Sequence, residues 1–246
     1  MMRHVVMTFA TTGRILRQLS HDHRTLALIF IVPCVLLALL RWLFSDTLAT
    51  FNQIAPALLG VFPFIIMFII TSITTLRERT GGTMERLMTT PVAKLDIVVG
   101  YMLAFGLLAV IQAGLASAML LFVLGLDIAG PEWFLVVMAV ADALLGTALG
   151  LFVSAFAKTE FQAVQFMPAF VLPQVLICGL IIPLAQMPDL LQTVAYCLPL
   201  TYAVDALNIV VSNTDLNSDA WRDLVVVLGC VVVAVLLGGL TLRRKS

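Results

Sequence analysis

The chain has 246 residues, of which 61% are hydrophobic and only 11% charged, and its mean hydropathy is +1.09. Soluble domains are about 45–50% apolar and about 25% charged, and a globule of this size leaves too much surface wet to hide the excess. The composition excludes a soluble enzyme and predicts an all-α membrane protein, a single transmembrane domain over 1–246. The formal net charge is zero, so bulk charge offers nothing to nucleic acid.

The first 24 residues carry Arg3, Arg14, Arg17 and Arg24, and their apolar residues are scattered. A secretory leader would hold a continuous apolar block and a small-residue cleavage site, so this start is expected to stay in the mature protein. Residues 3–20 read as an amphipathic helix, with Val5, Val6, Phe9, Leu16 and Leu19 near one stripe and Arg14, Arg17 and Gln18 off it. Such a helix lies in the cytoplasmic membrane surface or packs on a partner protein. His21 and His23 could chelate a metal, but beside Asp22 and Arg24 they read as a solvated polar cluster, and no metal site is expected.

Six apolar stretches of spanning length follow, at Leu26–Phe44, Ala55–Leu76, Ile97–Leu126, Trp133–Ala157, Ala163–Ala185 and Leu224–Leu242. Each is near the length of apolar helix that a bilayer requires. The third is long enough to tilt, or to break near Gly114. The fifth contains Pro168, Pro173 and Pro183 and should be kinked. With the N-terminus inside, the inner segments hold Arg3, Arg14, Arg17, Arg24, Arg77, Arg79, Arg86, Lys94, Lys158, Arg243, Arg244 and Lys245, against only Arg41 and Arg222 outside. This bias predicts a cytoplasmic-membrane protein with both termini in the cytoplasm. Two segments are more than short turns: an inner one at Arg77–Asp96 and an outer one at Gln186–Asp223. The outer one is half apolar and reads as one or two short helices dipping back into the membrane, with Asn213–Ser218 as the polar turn before the last span. Cys34, Cys178, Cys197 and Cys230 include no C-x-x-C pair and read as packing residues.

Catalytic motifs are missing. The three lysines follow Ala93, Ala157 and Arg244, so no glycine-lysine phosphate loop exists and no cofactor is expected on this chain. No H-E-x-x-H helix or G-x-S-x-G elbow occurs. Asp142 falls midway along the fourth span, where an acid costs roughly 2.5–3.5 kcal/mol on the insertion scale. Its functional reading is a substrate path or proton relay with Gln112 and Gln165. Its structural reading is a carboxyl hydrogen-bonded to groups such as Gln112 or Gln165. Gly146 and Gly150 form a G-x-x-x-G, read as helix packing.

The inner loop has clear punctuation. Gly81-Gly82 stops the preceding span, Thr83 can cap a short helix, Glu85 suits its first turn and Pro91 ends it. Met84, Leu87 and Met88 share one face. A two-turn helix with an apolar face is not stable alone in water, so it must dock on the membrane surface or in a groove on a cytoplasmic partner.

Here the sequence resembles a known family. Glu78 to Val92, with Gly82-Thr83-Met84-Glu85-Arg86-Leu87 and Thr90-Pro91-Val92, looks like the loop between the second and third spans of type-2 ABC (ATP-binding cassette) exporter permeases. Leu198-Pro199-Leu200-Thr201-Tyr202-Ala203-Val204-Asp205-Ala206-Leu207 resembles that family's re-entrant segment, and Pro183-Leu184 with Met187-Pro188 resembles the outer end of its fifth span. The resemblance covers essentially the whole chain and is closest to the drug-resistance branch. It implies six spans, a dimer with a second copy or a sister permease, and docking of ATPase subunits that carry the ATP and Mg. It makes Gly82, Thr83, Met84, Glu85, Arg86, Leu87, Met88, Thr90 and Pro91 the ATPase contact. Pro199, Thr201 and Tyr202 would belong to the outer gate. The implied cargo is amphipathic: drugs, lipids or lipid-linked glycans. The rival reading is a self-contained proton-coupled transporter using Asp142, which would not need a docking helix. A membrane-embedded enzyme lacks a plausible catalytic pair.

Overall fold

The computed structural model describes residues 2–82 and 94–241, and among them there is no strand. Ten α-helices follow in chain order: α1 Met2–Ser20, α2 His23–Leu43, α3 Leu48–Thr80, α4 Lys94–Ala118, α5 Glu132–Val153, α6 Glu160–Phe170, α7 Leu172–Ile177, α8 Asp189–Ala195, α9 Pro199–Ser212 and α10 Ser218–Thr241. Five of them, α2, α3, α4 with its π-helical extension, α5 and α10, are each long and apolar enough to cross a bilayer. The chain is therefore an all-helical, multi-pass membrane protein.

Helix α5 is the hub, packed against α3, α4, α9 and α10. Its contact with α3 is built on small residues. A Cβ on Gly146 would lie 2.3 Å from the Phe64 carbonyl oxygen, and one on Gly150 would lie 2.5 Å from that of Phe68. The G-x-x-x-G therefore serves packing, by letting two backbones touch. Close contact is the available glue in a bilayer, because lipid tails are as apolar as leucine.

The two ends of the bundle differ in chemistry. At one end lie the capped terminus of α3, the start of α4 and the α1–α2 turn, where Asp22 accepts hydrogen bonds from the Thr25 amide at 3.1 Å and its hydroxyl at 2.6 Å. Those bonds hold the Asp22 carboxyl below its usual range. We call this the loop end. At the other end, Trp133 and Trp221 lie tilted against each other with ring centres 6.1 Å apart. Trp42 and Arg41 end α2 there, and Arg41 Nε donates to the Leu124 carbonyl at 3.1 Å. We call this the tryptophan end; such residues sit where hydrocarbon meets headgroups.

The fifth predicted span is a broken helix. It runs as α6 and α7, and Pro173 at the start of α7 supplies no N–H to continue α6. It nevertheless travels the length of the bundle. Glu160 pairs with Arg77 near the C-terminus of α3 at 2.7 Å, whereas Cys178 and Gly179 line a cavity with Gln53 and Ile54 near its N-terminus. The pair α8 and α9 is bent by 93°, and Ala185 before it and Ser212 at its end line that same cavity. This pair leaves and returns at the tryptophan end, so it is the re-entrant element and α6–α7 is the crossing.

Several boundaries move. Arg77–Thr80 continue α3 and Lys94–Asp96 already belong to α4, so the inner segment is shorter than Arg77–Asp96. The fourth span stops at Val153 rather than Ala157, and the last begins at Ser218 rather than Leu224. Gly114 does not break the third span; regularity is lost instead in the π-helical turn Met119–Val123. Inside a bilayer no water competes for the backbone hydrogen bonds of a glycine. The four cysteines are free.

The amphipathic helix is present, but its packed face coincides with the predicted stripe only at its C-terminal half, at Leu16 and Leu19. Ile15 and Leu19 are buried while Val6 is 67% and Phe9 64% exposed. The helix docks through small hydroxyl residues instead, Thr12 Oγ1 donating to the Gly100 carbonyl at 3.2 Å. Gly100 allows this approach, since a Cβ there would meet Thr11 at 2.9 Å. The bulkier Val6 and Phe9 are left facing away from the bundle.

Candidate functional site

The end of α3 carries a polar clamp. With 33 residues, α3 is about 50 Å long, well beyond the roughly 30 Å of a hydrocarbon core, and it therefore projects a last charged turn past the apolar layer. There Glu78, only 4% exposed, accepts a hydrogen bond from Arg14 Nη2 of α1 at 2.7 Å. It also accepts one from the buried hydroxyl of Tyr101 on α4, and Arg14 Nη2 lies 3.3 Å from that hydroxyl. Burial works against the Arg14 charge, but the Glu78 carboxylate outweighs it and holds the guanidinium above its ordinary value. Charge-assisted bonds of this kind are about twice as strong as neutral ones.

The clamp's position matters more than its strength. Glu78 stands three residues before Gly81, which caps α3 by donating to the Arg77 carbonyl at 2.8 Å. Gly82 follows with φ of +74°, a left-handed turn that favours glycine and stops the helix, as its sequence predicts. Tyr101 lies on the first helix after the loop. Both flanks of the 83–93 segment are thus tied to α1. Thr83, Met84, Glu85, Arg86, Leu87, Met88, Thr90 and Pro91 themselves lie outside the described residues.

The polar interior holds a second feature. Asp142 is fully buried, with one carboxylate oxygen within 2.9 Å of where a Gly60 Cβ would be, beside Leu207 of α9. Neither of its oxygens has a hydrogen-bonding partner among the described residues, and the same is true of the amide of the buried Gln112. The expected hydrogen bond from Asp142 to Gln112 or Gln165 is therefore not formed. Gln165 is exposed on α6, on the opposite side of the burial boundary from Asp142.

The gate residues mark the re-entrant corner. Pro199 opens α9, where its missing N–H costs nothing. Tyr202 donates its hydroxyl to the Tyr196 carbonyl at 2.8 Å, bracing α9 against the end of α8 across the bend. Thr201 is buried with its hydroxyl unpartnered among the described residues. Sequence reasoning missed the clamp: it placed Arg14 on the polar face of the amphipathic helix and Glu78 at the start of the inner loop, with nothing to join the two.

A helical bundle of membrane-crossing length, with a re-entrant pair at one end and a clamped amphipathic helix at the other, defines a membrane permease. The chain belongs to the ABC-2 type transporter family, whose model matches residues 7–211. It is 27% identical over 168 residues to the "Probable multidrug ABC transporter permease YbhS" of Escherichia coli, covering 68% of this chain and 45% of that one. It is 26% identical over 195 residues to ABC transporter G family member 20 of Dictyostelium discoideum, covering 78% and 27%. The Linearmycin resistance permease protein LnrN of Bacillus subtilis is 26% identical over 155 residues, covering 61% and 40%. The matches thus span less than half the length of these relatives.

Proposed function

We propose that this chain is the membrane-spanning permease of an ATP-driven exporter of amphipathic small molecules, drug-like or lipid-like, in the cytoplasmic membrane. The loop end faces the cytoplasm, where the segment 82–91 contacts an ATP-binding cassette ATPase on another chain. ATP and Mg are held there and not here. A second copy or a sister permease completes the transporter. The observation that carries this reading is the clamp of Arg14, Glu78 and Tyr101. It fastens the surface helix to both flanks of the loop that resembles the family's docking element. A pull on that loop would then move α1, α3 and α4 as one body, and α3 would carry the motion to the re-entrant corner. The relatives named as multidrug and resistance permeases support the class of cargo. The exposed Gln165 supports a paired assembly, because a glutamine is costly against lipid.

The test is co-purification of the chain with its partner ATPase, followed by substrate-stimulated ATP hydrolysis. Arg14→Ala removes the guanidinium's bonds to Glu78 and to the Tyr101 hydroxyl; with Arg14 one-third exposed, that is worth about 1 kcal/mol, or roughly fivefold. We expect the ATPase to remain bound and stimulation to fall about that far. Absence of any ATPase partner would overturn the reading, and full stimulation in Arg14→Ala would remove the clamp from it.

Asp142, buried and without a hydrogen-bonding partner among the described residues, favours a second reading, a self-contained proton-coupled transporter. Asp142→Asn separates the two. Asparagine keeps the shape and the hydrogen-bonding capacity without the titratable proton, so a permease driven by ATP keeps most of its transport. Complete loss of transport with normal expression and assembly would favour proton coupling.

A further inference from the structure

At the tryptophan end, the re-entrant pair, the end of α7 and the start of α3 enclose a cavity of about 490 Å³. That volume falls in the range of small-molecule sites. Its wall is mixed. Ile54 and Leu184 supply apolar surface, Tyr196 an aromatic ring, and Gln53 and Asn208 two amides. Among the described residues, Asp205 is its one charged lining residue, and no lysine or arginine lines it.

The charges behind the wall keep the sign negative. Asp205 lies within the electrostatic reach of Arg222, Asp219 and Asp223. Arg222 is already committed, donating to Asp219 at 3.0 Å and to Asp223 at 2.9 Å. Three carboxylates thus face one guanidinium whose donors point at the other two acids. Asp223 is fully buried and lies within side-chain hydrogen-bonding reach of Asp205; even with one proton shared between that pair, three carboxyls against one guanidinium keep the cluster net negative. A neutral or anionic guest would leave this field uncompensated, whereas a cation with an apolar body would meet both the carboxylate and the aromatic ring.

We propose that this cavity is a binding site for lipophilic organic cations, with Asp205 as the residue that selects their charge. Asp142 is buried and is not among the residues that line this cavity. Only the direction in which such a cation travels rests on the exporter reading; binding itself requires neither ATP nor a partner.

The test uses the purified full-length chain in lipid nanodiscs, without ATPase. Tetraphenylphosphonium and tetraphenylborate serve as probes, since they share a shape and differ in the sign of charge. The cation is expected to bind saturably and the anion not to bind at the same site. Asp205→Asn should weaken the cation about tenfold or more, because a desolvated charge contact is lost. Ser212→Trp, at the exposed edge of the cavity, should weaken the cation by occupying the space while leaving the fold intact. Its elution profile and thermal midpoint check that. Equal binding of both probes, or wild-type affinity for the cation in Asp205→Asn, would overturn charge selection. Unchanged binding in both variants, or no saturable cation binding in the wild type, would overturn the site. A chain that binds the cation but recruits no ATPase would fail the exporter reading and leave this site standing.

Discussion

Gly146→Ala is expected to prevent the bundle from closing as it does in the native chain. The added methyl would sit 2.3 Å from the Phe64 carbonyl oxygen and 3.0 Å from the Phe64 Cα. Both are backbone atoms of α3, so no side-chain rotation relieves the clash. Helix α3 would have to move away from α5, and this is the most extensive helix contact among the described residues. Each contact in that interface loses dispersion energy steeply with separation. Overpacking of this kind costs about 3 kcal/mol, and more where the backbone cannot yield. For a chain of this length that corresponds to a fall of roughly 6–12 °C in thermal midpoint. Gly150→Ala should behave alike, because its methyl would lie 2.5 Å from the Phe68 oxygen. Gly229→Ala is the control, since nothing lies within 4 Å of a Cβ there. The measurement is thermal denaturation in detergent followed by size-exclusion chromatography. A Gly146→Ala midpoint equal to wild type would mean that α3 and α5 do not approach as described.

If the proposed ATPase docks on the 82–91 loop, Leu87→Asp should separate the two while sparing the membrane fold. In the sequence, Leu87 lies at the centre of the face shared with Met84 and Met88. Burying a leucine-sized side chain is worth roughly 1.5–3 kcal/mol. Aspartate forfeits that and places a charge in an apolar groove, so docking should weaken by more than about tenfold. Glu85→Ala removes only a carboxylate near a helix start, worth about 0.3–1 kcal/mol, and should be far milder unless Glu85 pairs across the interface. Co-purification with the ATPase and stimulated hydrolysis read both variants, and the thermal profile of the isolated chain should not move. Full partner binding by Leu87→Asp would remove this loop from the coupling role.

The sequence by itself determined the membrane class, the crossing segments and the break in the fifth of them. The reason is physical: a bilayer demands about 20 apolar residues in a row, and a proline removes one backbone donor from such a run, although Pro33, Pro56, Pro63 and Pro168 sit inside continuous helices. At Pro173 the helix does break, between α6 and α7. Gly81-Gly82 likewise fixed the end of α3, because a left-handed φ is open to glycine and to few other residues. The re-entrant element was legible as a half-apolar segment too interrupted to cross, though its 93° corner and the Tyr202 brace were not.

Only the tertiary structure decided which face of α1 is packed. In a membrane both the lipid and the protein interior are apolar, so an apolar stripe does not say which of them it meets; Thr12 and Ile15 turned inward and Phe9 outward. Tertiary structure also decided which charges meet. Arg14 and Glu78 are 64 residues apart, and no periodicity joins such a pair; it forms because Gly100 lets α1 lie close enough to α4 for the guanidinium to reach the end of α3. Asp142 shows the same limit from the other side. Its depth in the fourth span was visible from its position among apolar residues. That Gly60 and Leu207 surround it, in place of a hydrogen-bonding partner, depended on how three separate helices pack.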